Sequence, residues 1–235
     1  MSDNTPTVDI IRTDEHNSFI IKFDETNYWL IDSGPARFPS YQYVKSAILK
    51  RKVTNFKGII ITNPRKKHLD GMVRFFKECF SSEGVHAKEF PNLDFHVVLT
   101  DEFRNNPIID ILRNNGFEFD HKESKFEYPN ITMECFFYEN GMPLILRHSK
   151  DAKQDLNTVA NRDNVSITRN NAKIQTDMSS ILTYLQYQIN EIKKSVLLTS
   201  DNIASCIQSV LTTKLNVYQQ SRLNKRPYID IFQVP

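Results

Sequence analysis

Residues 61–72, ITNPRKKHLDGM, place a histidine where a short apolar run gives way to a helical pattern. A strand that delivers a tight loop to the start of a helix is one way to aim several side chains at a metal ion. His68 is the right type for that task. Asn63, Arg65, Lys66 and Lys67 are not, since a metal at such a loop wants His and Asp. An arginine side chain offers no lone pair. A lysine coordinates only as a neutral amine, against its normal pKa of about 10.

The elements that would position this loop are legible on either side of it. SFIIKF (18–23) and NYWLID (27–32) are apolar, β-branched and aromatic runs separated by DET, which reads as a hairpin. The second run ends in the turn cluster Asp32-Ser33-Gly34-Pro35. Ser40 is placed to cap a helix whose apolar residues Tyr41, Val44, Ala47 and Ile48 recur at helical spacing. FKGIIIT (56–62) is a continuous apolar run, as expected of a strand buried on both faces. Met72, Val73, Phe75, Phe76 and Cys79 supply the apolar face of the helix after the loop. DFHVVLT (94–100) is a further strand, and a helix around 108–115 closes at Gly116. FEFD, ITMECFFYE and PLILRHS read as strands, and 149–177 as a polar connection. SSILTYLQYQI (179–189) and KSVLLTS (194–200) form a second hairpin, followed by Asp201 and a helix through IASCIQSVL. YIDIFQV (228–234) is the last strand.

The composition is that of an ordinary globular protein: 235 residues, 40% apolar, 25% charged, net charge +2. That near balance argues against a dedicated nucleic-acid binder. Cys79, Cys135 and Cys206 form no C-x-x-C pair, so neither a disulfide framework nor a zinc finger is indicated. No run approaches the roughly 18 apolar residues that span a bilayer. The first residues lack the pattern of a signal peptide. An intracellular, cytoplasmic setting with no membrane is the expectation. Average usage would give about sixteen Gly in a chain of this length. Only six are present, and two of them, Gly34 and Gly71, fall in the motif-like stretches.

Taken together, these stretches resemble the metallo-β-lactamase fold, an αββα sandwich of binuclear metal hydrolases. LIDSG resembles the family's opening hairpin and Asp-x-Gly turn. GIIITNPRKKHLDGM resembles the strand and ligand loop, written in the family as Thr-His-x-[His/Asp]-x-Asp-His followed closely by Gly. MSSILTYLQYQINEIKKSVLLTSD resembles the later hairpin that presents a metal-bridging Asp. YIDIFQVP resembles the strand before the last ligand His in the branch related to DNA-uptake competence proteins. The resemblance implies one domain over 1–235, with a first half at about 8–148, the connection at 149–177 and a second half at 178–235. Because the chain stops before that last ligand motif, it also implies an incomplete C-terminal half.

Carried over residue by residue, the resemblance puts Asn63 at the first His and Arg65 at the second His or Asp. It puts Lys67 at the Asp and leaves His68 and Asp201 as the residual metal-ligand positions. Zinc needs three or four good ligands, so the loop resembles a site that has lost its metals. The family's turn makes Asp32 and Gly34 structural. Each residue also has a plainer role open to it. His68 can hydrogen-bond at a helix start, Asp201 can be a helix N-cap, and Arg65, Lys66 and Lys67 can be solvated or hold a phosphate. Arg65 or Lys67 is expected within salt-bridge reach of Asp201, with Arg65 favoured for its forked donors.

Three functions follow as expectations. The first is a catalytically inactive domain without a cofactor, acting by binding a protein partner or by self-association over the C-terminal strand. The second is a zinc-dependent hydrolase of ester, amide or phosphodiester bonds, its ligands completed by a missing C-terminal region. The third is a nucleic-acid-associated module, which the near-neutral charge supports least.

Overall fold

The computed structural model describes residues 6–12, 17–80, 94–120, 125–129, 131–136, 143–148, 180–189, 192–200 and 231–233. Two sheets organise them. The first is seven-stranded, in the order β1-β2-β3-β4-β5-β9-β6. Its strands are β1 (Thr7–Arg12), β2 (Asn17–Lys22), β3 (Tyr28–Ile31), β4 (Phe56–Ile61), β5 (Phe95–Leu99), β6 (Phe117–Phe119) and β9 (Leu144–His148). The central strands β3, β4 and β5 run parallel, and the flanking pairs are antiparallel.

The β2–β3 hairpin forms where the apolar runs predict it. Its turn is held by the Asp24 carboxylate, which accepts from the Thr26 N–H (2.8 Å) and the Asn27 amide (2.6 Å). Those bonds keep the Asp24 carboxyl below its usual value, against burial, which alone would raise it. β4 is buried on both faces, as its continuous apolar sequence requires. Ile59 and Ile61 join the helix-side core while Ile60 is buried on the opposite face. Burying each such side chain contributes about 1.5–3 kcal/mol relative to leaving it exposed.

Three helices cover the core side of this sheet. α1 (Ser40–Lys50) buries Tyr41, Val44 and Ile48. α2 (Lys66–Phe80) buries Leu69, Met72, Phe75 and Phe76 at three- and four-residue spacing and leaves Arg74 and Lys77 outside. α3 (Pro107–Asn114) buries Ile108, Ile109 and Leu112, and its Asn106 cap accepts from the Ile108 N–H. Glu78 on α2 is tied to Lys45 on α1, and the Arg74 guanidinium lies 4.3 Å from the centre of the Tyr41 ring.

Ser40 does not cap α1, contrary to the sequence expectation. Pro39 takes the cap position, Ser40 is the first helical residue, and no side chain caps the end. Backbone bonds from the Tyr41 and Gln42 N–H groups to the Arg37 and Pro39 carbonyls close the turn instead.

The second sheet runs β12-β11-β10-β8-β7. Its strands are β7 (Lys125–Tyr128), β8 (Ile131–Phe136), β10 (Leu182–Ile189), β11 (Ile192–Leu198) and β12 (Ile231–Gln233). β10 and β11 form the expected antiparallel hairpin, and β12 pairs parallel to β11. The chain accordingly divides into two compact units, 1–122 with 144–171 and 123–143 with 172–235. β7 and β8 fall in the second unit because β8 pairs with β10 on one side and with β7 on the other. Cys135 on β8 is fully buried, and that burial pushes its thiol up to about 12, so it serves as unreactive packing. Among the described residues no helix is long and apolar enough to cross a membrane.

Gly58 marks the tightest packing in the first sheet. A Cβ there would lie 2.5 Å from Trp29 and 2.6 Å from the His96 carbonyl oxygen on β5. Gly58→Ala is expected to cost about 1–3 kcal/mol. Urea denaturation should show a lower midpoint with an unchanged slope.

Candidate functional site

The carboxyl ends of β3 and β4 meet the start of α2 at a buried carboxylate. Asp32 follows β3 with a left-handed backbone (φ 54°), and its N–H continues the sheet ladder to the Ile60 carbonyl. Its Oδ1 accepts from the Thr62 N–H at 2.8 Å, and its Oδ2 accepts from the Thr62 hydroxyl at 2.7 Å. The same Oδ2 lies 2.8 Å from His68 Nδ1, which is 3.2 Å from the Thr62 hydroxyl oxygen. Asp32, Thr62 and His68 are each at most 2% exposed.

A carboxylate can only accept, so the proton of this bond sits on His68 Nδ1. That tautomer turns the Nε2 lone pair away from Asp32. A carboxylate that fixes the remote nitrogen of an imidazole in this way is the usual support of a metal-ligating histidine. The support is therefore present whether or not a metal is.

The backbone clamps the same junction. The Ser33 N–H and hydroxyl both donate to the His68 carbonyl at 3.0 Å, and the Gly71 N–H donates to the Gly34 carbonyl at 2.9 Å. Gly34 has φ 67°, the left-handed region that glycine enters without strain. Gly71 is needed for closeness, because a Cβ there would stand 2.6 Å from the Ser33 carbonyl oxygen.

The other positions of the loop are built differently. Asn63 is fully buried, and its side-chain oxygen accepts from the Arg65 N–H at 3.0 Å, an Asx turn. The Arg65 carbonyl then accepts from the His68 and Leu69 N–H groups and opens α2. Arg65 and Lys67 are half-buried and Lys66 is exposed. The first turn of α2 carries no acid. Lys66 and Lys67 thus stand at the positive end of the helix dipole, an unfavourable placement for cations.

Asp201 lies outside the described residues, and so does its expected proximity to Arg65 or Lys67. Among the described residues no group of three or more His, Cys, Asp or Glu side chains is arranged to hold a metal. The donor set of the loop does not fit one. His68 is oriented for coordination, but the Asn63 oxygen is committed to the backbone and the remaining positions are cationic. Thr62 and Ser33 are the site residues that spacing does not single out, since their partners lie some thirty residues away in sequence.

Asp70, on α2, is half-buried, and its Oδ1 has no hydrogen-bond partner among the described residues. Burial raises its carboxyl above the ordinary value, with the Lys66 charge opposing.

Neither a family model nor a curated protein matches the chain. Solved structures do. GOB-18, a metallo-β-lactamase from Elizabethkingia meningoseptica, is 14% identical with a TM-score of 0.45, over 97% of this chain and 74% of that one. BJP-1, a subclass B3 metallo-β-lactamase of Bradyrhizobium japonicum, is 13% identical with a TM-score of 0.44, over 92% and 72%. LRA-12, a class B3 di-zinc metallo-β-lactamase from an Alaskan soil metagenome, is 11% identical with a TM-score of 0.43, over 95% and 73%. The chain is similar to these proteins in fold. At such identities the likeness transfers no residue's role, and none of the three speaks for a competence-related branch.

Two substitutions test the site as a physical object. Asp32→Ala strands three buried donors and is expected to cost about 3–5 kcal/mol, with Asp32→Asn costing less because the amide oxygen still accepts. Asp70→Asn is expected to stabilise. An acid whose pKa is higher in the folded state weakens the fold while ionised, and that penalty vanishes once pH falls below the unfolded value. Thermal melts should show Asp70→Asn above the parent at neutral pH and level with it at about pH 3.

Proposed function

We propose that the chain is a metallo-β-lactamase-like domain that acts by binding and not by metal-dependent hydrolysis. The carrying observation is the contrast within one loop. The Asp32–His68 support for a ligand is intact, whereas Asn63, Arg65 and Lys67 occupy the positions that would complete the coordination. Two cations there repel a dication, and one oriented imidazole does not hold zinc by itself. The partner in this reading is a protein or a second copy of the chain. β12 ends the second sheet in the described order, so its outer edge is where an added strand would pair.

The orientation of His68 is also the one observation that favours a second reading, a zinc-dependent hydrolase. In that case Asp201 and residues beyond the loop would supply the remaining ligands.

Elemental analysis of protein purified without added metal separates the two. The binding reading expects no stoichiometric zinc, manganese or iron, and no rise in melting temperature when zinc is added. Two metals per chain would overturn the binding reading.

A further inference from the structure

The near-neutral total charge conceals a segregated one. Between Ser33 and Leu69 there are nine Lys or Arg residues and no Asp or Glu. α1 lies in this stretch. Of the four exposed large apolar side chains among the described residues, three belong to α1 or the loop leading into it: Phe38 (78% exposed), Tyr43 (55%) and Leu49 (40%). On the helix itself, Tyr43, Ser46, Leu49 and Lys50 share the outward face, opposite the buried Tyr41, Val44 and Ile48. Lys52, just past the helix, is exposed as well. Among the described residues, Asp9 and Glu78 reach this region from other elements, and they are bonded to Arg51 and to Lys45 and Arg74.

The inner face of α1 is spent on the core, so its outer face is a ridge. Peptide segments seat in grooves or along strand edges. Single-stranded nucleic acid gains from stacking on aromatic rings but nothing from an exposed leucine. A ridge with aromatic and aliphatic tips beside unopposed cations suits a fluid, anionic surface. We propose that the outward face of α1, together with Phe38, rests on an anionic lipid bilayer. Phe38, Tyr43 and Leu49 enter the boundary between headgroups and acyl chains, and Lys50 and Lys52 meet the anionic headgroups. The contact is peripheral and reversible, since three apolar side chains make a weak anchor. It is independent of the metal-loop reading.

The test is co-sedimentation of the full chain with phosphatidylcholine vesicles and with phosphatidylcholine–phosphatidylserine vesicles. Binding is expected only to the mixed vesicles and should weaken as salt is raised. The triple variant Phe38→Ser, Tyr43→Ser, Leu49→Ser and the double variant Lys50→Glu, Lys52→Glu should each lower it by about tenfold or more. Unchanged circular dichroism and urea midpoints would show that both variants fold. The proposal is overturned if the mixed vesicles are not bound or if the folded variants bind as the parent does. It is equally overturned if polyglutamate or DNA in solution is bound regardless of the apolar substitutions, which would assign the face to a soluble polyanion.

Discussion

One buried carboxylate organises the upper end of the first unit. Asp32 accepts from the backbone and hydroxyl of Thr62 and from the ring of His68, so it joins the end of β3, the end of β4 and the first turn of α2. A charge taken out of water is costly unless its hydrogen bonds are supplied, and here three donors supply them. The left-handed backbone at Asp32 and the close approach of Gly71 to the Ser33 carbonyl are the local strain and crowding that this junction accepts. The helix start inherits a fixed position from it. The side chains of the loop are therefore displayed at set places, whatever their chemistry now is.

That separation between frame and chemistry is the main physical feature of the site. The frame is made of buried hydrogen bonds whose removal would endanger folding. The displayed positions are less constrained, and Lys66 and Lys67 even oppose the dipole of α2. The frame holds the start of α2 in place through buried hydrogen bonds in which the Arg65, Lys66 and Lys67 side chains take no part.

Much of this was readable from residue order, and the reasons differ by element. The β2–β3 and β10–β11 hairpins and β4 declare themselves because long apolar runs end in turn residues. β1 and β7 do not, since TVDIIR and KFEY mix charged and apolar residues and become strands only through their partners β2 and β8. Ser40 has the chemistry of a cap but is buried as the first helical residue behind Pro39. That Arg65 and Lys67 are poor metal donors follows from their identities alone. The bond from Thr62 to Asp32 does not, because spacing along the chain carries no information about which side chains converge across two parallel strands. Whole-chain charge misleads in the same way, by averaging a basic stretch against acids placed elsewhere.

The pairing of β8 with β10 has a consequence for the order in which the protein can assemble. The ribosome releases β8 soon after its first partner β7 but well before its second, β10, since Phe136 must wait for Leu182. Meanwhile β9 emerges and pairs with β5 and β6 in the other sheet. The nascent chain therefore completes most of one sheet while β8 has an unpaired edge. Contacts that wait on distant sequence are slow to form, and an open edge is the surface through which unfinished chains stick together.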